Sequence, residues 1–514
     1  MRGLVRGGHR QPRQGRLERA WRAAAFRRRA LWSRLAWPIL QPAAWLWRRT
    51  WLRGTPVVAV TGSFGKTSTS AAAAAALGAA FTPDRPNYGV YLAGALLRHA
   101  RRRQPAVVEV GISRRGQMVG YARLLRPDVV VLTAIGGEHL LSLGTIEAVA
   151  AEKALLVRGL RAGGCLVLNG DDARCRAIGD DAAAAGARVM AVGFGDGCDW
   201  RIAAERLDWP VGTHLLLAGP GGAGCDLALR WVGHDLARCA AMGAVAALAA
   251  MAAMAALGVP GGLDAPGGLG APAAPEAPEE EAPAAPPEAG EPPVATAAPA
   301  STPRVPTLPE RAAAREEPGG ILGGGPARLI AARLAGLAPL RARLEAVPLP
   351  GGAWLLCDSW KANWVTIESA LGELARIGRL AGARCVAVLG DIEEPQGNQS
   401  TAYQAYGSAA ARAAERILYL GNRFASFRGG VRQAGRVPAV DLQACQGVHA
   451  AARALAGELT PGTLILIKGR HSQKLARIGL LLREERVGCE LRLCPAVGLR
   501  CELCPRLRQL ARRV

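Results

Sequence analysis

Lysine is nearly absent from this sequence, with five against 59 arginines in 514 residues. Almost every generic surface cation is Arg. Lys66, Lys153, Lys361, Lys468 and Lys474 therefore stand where a compact primary amine is wanted, one that shifts its pKa on burial or accepts a covalent modification that a guanidinium cannot. Chance survival is the plain alternative for any single one, and their placement in separate motifs argues against it for the set. A membrane-spanning run is also missing near the N-terminus. The longest apolar stretch there, LAWPILQPAAWLW (35–47), holds 13 residues and two prolines, where a span needs about 20. No uninterrupted apolar core with a small-residue cleavage site follows the basic start, so a secretory signal is not expected. The twelve cysteines then read as thiols of a reducing cytosol.

The length suits two folded domains at about 150 residues each, with extras. A formal net charge of +23 would ordinarily suggest a nucleic-acid partner, but residues 1–53 alone hold fourteen Arg and one Glu. About half of the excess sits in that arm. The arm interleaves its Arg clusters with Trp21, Trp32, Trp37, Trp45, Trp47 and Trp51, a mixture that suits an anionic membrane surface. A frayed basic extension is the plain alternative. Outside the arm, aromatic and basic residues are not interleaved, so no nucleic acid is expected.

From PVVAV (56–60) onward, short β-branched runs alternate with Ala-rich helical stretches: AVVEVG (106–111), PDVVVLTAI (127–135) and GCLVLNG (164–170) each end at polar residues. That alternation predicts a mainly parallel sheet flanked by helices, an α/β fold. A long Ala-rich helix is expected over 234–258. Residues 260–326, dominated by Pro, Ala, Gly and Glu, bury too little apolar surface to offset their ordering entropy and read as a disordered insertion. ARLIAARLAGL (327–337) reads as helix. WLLCDS (354–359), CVAVLGD (385–391), RILYLG (416–421) and TLILIKG (463–469) predict a second, smaller Rossmann-like α/β domain. The expected organisation is an arm (1–53), a central domain (54–259, completed by 327–340), a C-terminal domain (341–486) and a Cys-rich tail (487–514).

The segment VVAVTGSFGKTST (57–69) sets an apolar strand, a Gly-bearing turn and an Ala-rich helix in the order a phosphate loop requires. Gly62 and Gly65 admit backbone amides to phosphate oxygens, and the helix N-terminus adds its positive dipole. Lys66 reaches the terminal phosphates, and Thr67 can bind magnesium. Val60 breaks the longer G-x-x-x-x-G-K-[ST] form and leaves a shorter loop of Thr61, Gly62, Ser63, Gly65, Lys66, Thr67 and Ser68. In the tail, Cys489, Cys494, Cys501 and Cys504 are spaced C-x4-C-x6-C-x2-C, which suits tetrahedral zinc. An iron–sulfur cluster and unligated thiols are the alternatives.

At these residues the sequence resembles the Mur ligase superfamily, and within it the branch that adds D-alanyl-D-alanine in peptidoglycan synthesis. The likeness continues through NYGV (87–90), VVEVGISRRGQM (107–118), TAIGGEHLLSLGTIEAVAAEK (133–153), LNGDD (168–172), GHDLARCAA (233–241), CDSWKAN (357–363), VLGDIEE (388–394) and LIKGRHS (466–472). It implies an ATP-dependent, ADP-forming ligase that joins a carboxylate to an amine through an acyl phosphate. By the same resemblance, Glu109 and His139 help hold magnesium and Lys153 is carbamylated. Asn169 touches the adenine, while Arg343, Asp358 and Lys361 close the C-terminal domain over the nucleotide, with Arg341 as a rival to Arg343. Lys468 and Arg470 face the substrate. Taken alone, Glu109 and His139 read equally as loop residues, and Lys153 as a solvated helix cation.

Departures accompany the likeness. The uridine-nucleotide-binding domain that precedes the loop in the peptidoglycan enzymes is not recognised in residues 1–53, and Asn363 is followed by Trp364 rather than Pro. The expected acceptor is a small-molecule or lipid-linked cell-envelope precursor, and the expected place is the cytoplasm, with the arm at the inner face of the membrane. A poly-amino-acid synthetase and a catalytically inactive ATP-binding scaffold are the other readings.

Overall fold

The structure is a computed structural model that describes residues 35–83, 85–99, 104–257, 325–494, 496 and 499–507. Most of the insertion expected over 260–326 and residues 1–34 of the arm lie outside the described residues.

Two sheets organise the chain. The first has eight strands in the order β2-β1-β3-β4-β5-β6-β7-β8: β1 Val57–Thr61, β2 Ala106–Glu109, β3 Val129–Leu132, β4 Cys165–Asn169, β5 Arg188–Gly193, β6 Trp200–Asp208, β7 Gly212–Ala218 and β8 Gly224–Leu229. Strands β1 to β6 pair in parallel, and β6 to β8 form an antiparallel meander. The mainly parallel sheet expected from the alternating pattern is present; the meander is an addition. Along β6 buried and exposed residues mix, as an antiparallel strand with one wet face permits.

Successive residues of β1 feed opposite faces of the sheet. Val58 and Val60 join one core with the helices Lys66–Leu77, His234–Ala256 and Gly325–Ala335. Val57 and Ala59 join the other, under the helices Val90–Arg98, Gln117–Leu125, Ile146–Val157 and Ala173–Ala184, as the two-residue period of a strand requires. The helix His234–Ala256 is apolar and long enough to cross a membrane, with a mean hydropathy of 2.0, yet it is mostly buried. Its small residues let it approach Lys66–Leu77 closely: a Cβ on Gly243 would lie 2.6 Å from the Ala72 Cβ.

The second sheet has six strands, β13-β12-β11-β14-β10-β9: β9 Glu345–Pro348, β10 Trp354–Asp358, β11 Arg384–Leu389, β12 Arg416–Tyr419, β13 Asp441–Ala444 and β14 Thr463–Lys468. All pairings are parallel except that of the edge strand β9. Apolar clusters cover both faces. The four runs read as buried strands in this region are β10, β11, β12 and β14.

A helix over 35–49 precedes the first sheet. Its prolines, Pro38 and Pro42, mask it in the sequence, since Pro usually interrupts a helix.

Candidate active site

Strand β1 lies between β2 and β3, so the strand order reverses at its carboxyl end, the position where open α/β sheets bind ligands. The chain turns there into the helix Lys66–Leu77. Gly65 adopts φ 77° at the helix N-cap, and a Cβ on it would sit 2.8 Å from Cys239 Sγ. Gly62 is tighter still, since a Cβ there would lie 2.0 Å from Thr133 Oγ1. The loop is braced from β3's side. Ser63 N donates to Ala134 O at 2.8 Å and Ser63 Oγ to Gly136 O at 3.1 Å, while Thr61 Oγ1 donates to Val110 O at 3.1 Å. Lys66 folds back over its own loop, donating to Gly62 O at 2.7 Å and Ser63 O at 3.1 Å. An anion in the loop would have to draw Lys66 off these carbonyls.

The neighbouring strand ends supply carboxylates. Glu109, the last residue of β2, accepts from Asn87 Nδ2 at 2.6 Å. Beyond β3, Glu138 accepts from Lys66 Nζ at 3.0 Å and pairs through its other oxygen with Lys361. His139 lies beside it, with Nε2 3.8 Å from that second oxygen. Burial alone would raise the Glu138 carboxyl, but Lys361, Lys66 and Lys153 together hold it far below the usual carboxylate range. Lys153, on the helix Ile146–Val157, is fully buried and donates to Gly62 O at 2.8 Å. Burial, reinforced by Lys66, lowers its amine to about 7, so a neutral amine is available near neutral pH.

The second sheet faces this cluster. Asp358 and Lys468 sit opposite one another at the ends of β10 and β14 and pair at 2.5 Å. Three residues beyond Asp358, Lys361 crosses to Glu138. Arg343 Nη2 donates to Thr67 Oγ1 at 3.1 Å, whereas Arg341 pairs with Glu345 at 3.5 Å and Glu502 at 3.9 Å. Trp360 stacks on His471, ring centroids 4.1 Å apart, and the Arg343 guanidinium lies 5.6 Å from the Trp360 ring. Arg470 reaches Asp391 at 3.5 Å. Two further bridges close the gap: Glu394 Oε2 accepts from His139 N at 3.2 Å, and Gln396 Nε2 donates to Gly137 O at 3.3 Å.

Between the sheets lies a cleft of about 2540 Å³, lined by Ser63, Gly65, Lys66, Thr67, Ser68, Glu109, His139, Lys153, Asn169, Arg343, Asp358 and Lys361. It exceeds the ~300–1,000 Å³ of an ordinary small-molecule pocket and has room for a nucleotide beside a second substrate. Asn169 closes β4, with its Oδ1 accepting from Asp171 N at 3.1 Å. Thr61 and Gly62 of the loop are not among the residues that line the cleft.

Glu138 was missed in the sequence because no spacing marks it; its only signal is an acid directly before His139. Glu394 and Gln396 were missed likewise. The zinc expectation for Cys489, Cys494, Cys501 and Cys504 gains no support. Among the described residues no group of three His, Cys, Asp or Glu side chains is placed to hold a metal. Two cations stand among the thiols instead: Arg477 donates to Cys489 Sγ at 3.2 Å and to Cys489 O at 2.7 Å, and Lys474 to Leu499 O at 2.6 Å. Cys501 and Cys504 pack against the small apolar cluster of Leu480, Val487 and Leu507, and burial raises the Cys501 thiol to about 11.

Comparison with known proteins agrees with this geometry. The family model described as the Mur ligase middle domain matches residues 60–251. The UDP-N-acetylmuramoyl-tripeptide–D-alanyl-D-alanine ligase of Bacillus subtilis is 36% identical over 123 residues, 23% of this chain and 27% of that relative. The Escherichia coli ligase of the same name is 31% identical over 134 residues, 25% and 29% of the two chains. The matched stretch thus spans less than a third of either relative. Two crystal structures share the fold: MurF from Acinetobacter baumannii, with a TM-score of 0.62 and 18% identity over 87% of this chain and 80% of that one, and MurF from Thermotoga maritima in complex with ADP, with 0.60 and 17% over 87% and 84%. Residues 60–251, with the phosphate loop at the β1 switch point, thus match the Mur ligase middle domain, and the chain shares the fold of solved Mur ligases.

Proposed function

We propose that this chain is an ATP-dependent, ADP-forming ligase that joins a carboxylate to the amine of an amino acid or dipeptide in peptidoglycan and cell-envelope synthesis. The observation that carries the reading is the Lys66–Glu138–Lys361 string, which ties the phosphate loop to the second domain. A carboxylate is a poor electrophile. Transfer of the γ-phosphoryl of ATP to a carboxylate oxygen breaks the bond to ADP and makes an acyl phosphate. The amine then attacks the acyl carbon, phosphate leaves, and the nitrogen loses a proton to give the amide.

Such a transfer needs positioning and charge neutralisation more than covalent help from the protein. Lys66 exchanges its loop carbonyls for the terminal phosphate. Thr67, Glu109 and Glu138 offer hard oxygen donors for magnesium, with His139 beside them, and a carbamate on Lys153 adds another. Magnesium, when bound, neutralises charge on the phosphate oxygens. Arg343 and Lys361 bring positive charge from the second domain, Asn169 borders the adenine, and Asp358 with Lys468 positions that domain's edge. Closure of the two domains excludes water, which would otherwise hydrolyse the acyl phosphate.

By likeness to the D-alanyl-D-alanine ligases, the acceptor is a muramoyl-peptide carboxylate, free in the cytoplasm or carried on lipid, and the donor is D-alanyl-D-alanine. Phosphate release with ATP and magnesium, screened over such donor–acceptor pairs, tests the reading. Stimulation by one pair, lost in Lys66→Ala, is expected. ATP binding with no stimulated turnover by any pair counts against it.

A further inference from the structure

The helix over 35–49 is largely apolar on both its inward and its outward face. Its inward face is anchored. Ala44 and Leu52 are buried in the core under β1, and Trp37 meets Tyr121 edge-on with ring centroids 6.4 Å apart. Arg48, almost fully buried, donates to Leu125 O at 2.8 Å, Arg126 O at 2.9 Å and Asp128 Oδ2 at 2.9 Å. The outward face repeats at helical spacing through Leu35, Ile39, Pro42 and Leu46, with Trp45 alongside and Trp51 just beyond. Ile39 is 72% and Leu35 67% exposed, and Trp45, Leu46 and Trp51 are exposed too. A helix on a protein surface ordinarily turns polar residues outward.

We propose that this outward face docks on an anionic bilayer surface and sets the neighbouring end of the cleft at headgroup level. Charge selects the occupant. Residues 35–53 contain no acidic residue, and Arg49 and Arg53 flank the apolar stripe. The Arg49 guanidinium lies 4.0 Å from the Trp45 ring, so aromatic body and cation stand together as an interfacial anchor requires. The preceding arm adds eleven more arginines and a single glutamate in residues 1–34, and basic residues close to an anionic surface add attraction. A second copy fits less well. A two-fold pairing through this face would gather the arginines of two copies of residues 35–53, a segment that carries no acidic residue to offset them.

The same helix lends Trp37 and Gln41 to the cleft wall, beside Tyr88 and Tyr121. With side chains a helix is about 10–12 Å thick, so this end of the cleft stands within one helix of the headgroups. On the ligase reading, a lipid-carried carboxylate would reach it without leaving the bilayer.

The test is flotation of the full chain with phosphatidylcholine vesicles and with phosphatidylcholine–phosphatidylglycerol vesicles, without ATP. Binding to the anionic vesicles is expected, with a loss of at least about tenfold in Ile39→Glu/Leu46→Glu, which removes two aliphatic side chains from the interface. Retention in Ile39→Leu/Leu46→Ile is expected as well. Circular dichroism checks folding, and Ile39→Ser/Leu46→Ser serves if the Glu pair does not fold. Equal binding of wild type and the polar variants would overturn the proposal by assigning the effect to the Arg-rich arm alone. So would absence of binding to anionic vesicles, or a dimer in solution that the Glu pair dissolves. None of these outcomes involves turnover, so each leaves the ligase reading where it stands.

Discussion

Glu138 and Lys361 form an ion pair across the two sheets, and the free side of the same carboxylate accepts from Lys66 at the phosphate loop, 3.0 Å away. One side chain thus couples the loop that would hold phosphate to the domain that would close over it. A nucleotide drawing Lys66 away alters the charge that Lys361 sees.

Glu138→Gln should therefore damage both folding and turnover. Breaking a buried ion pair on one side costs about 3 kcal/mol, read by denaturant unfolding. Turnover should fall at least about a hundredfold. In the wild type the lysines hold this carboxyl well below its ordinary range. The unfolded chain then binds more protons as the pH falls through ordinary carboxylate values. The stabilisation is complete above that range and is lost as the pH drops toward the depressed value; Glu138→Gln should flatten that acid limb.

Lys153 makes the opposite kind of prediction. Its folded amine titrates at about 7, against about 10.4 for an ordinary lysine. Between those values the unfolded chain carries the extra proton, so stability rises with pH across the window and is level outside it. Carbamylation needs the neutral amine. With isotopically labelled bicarbonate, the carbamate NMR signal should be strong one unit above the folded value and weak one unit below it. Lys153→Arg should show none and should lose turnover.

Arg343 and Arg341 lie two residues apart and should behave differently. Arg343→Ala removes the donor to Thr67 and the cation near Trp360, and should weaken ATP binding or turnover by about tenfold. Arg341→Ala breaks only half-exposed surface pairs and should stay within about twofold. Calorimetric titration with ATP alongside steady-state rates separates the two.

What the sequence made legible was local or rare. The phosphate loop reads directly, because strand, glycine turn and helix follow one another in thirteen residues. Lys153 stood out through the scarcity of lysine, although only burial beside Gly62 gives its amine a reason to be neutral. Glu138 was not legible: its partners lie 72 and 223 residues away, and no spacing rule joins them. The tail shows the converse. Cysteine spacing indicates which thiols could converge, but not that Lys474 and Arg477 would stand among them. The helix over 35–49 was hidden by its two prolines, and the β6–β8 meander by polar residues such as those of WRIAAERLD (200–208), whose partly wet face interrupts the apolar-run signal.

The central claim is best tested by counting products. With a productive donor–acceptor pair, mass spectrometry of the ligated product alongside nucleotide analysis should find one ADP and one phosphate for each amide formed, and none in Lys66→Ala. AMP with pyrophosphate, or ADP formed without any amide in every pair tried, would contradict it.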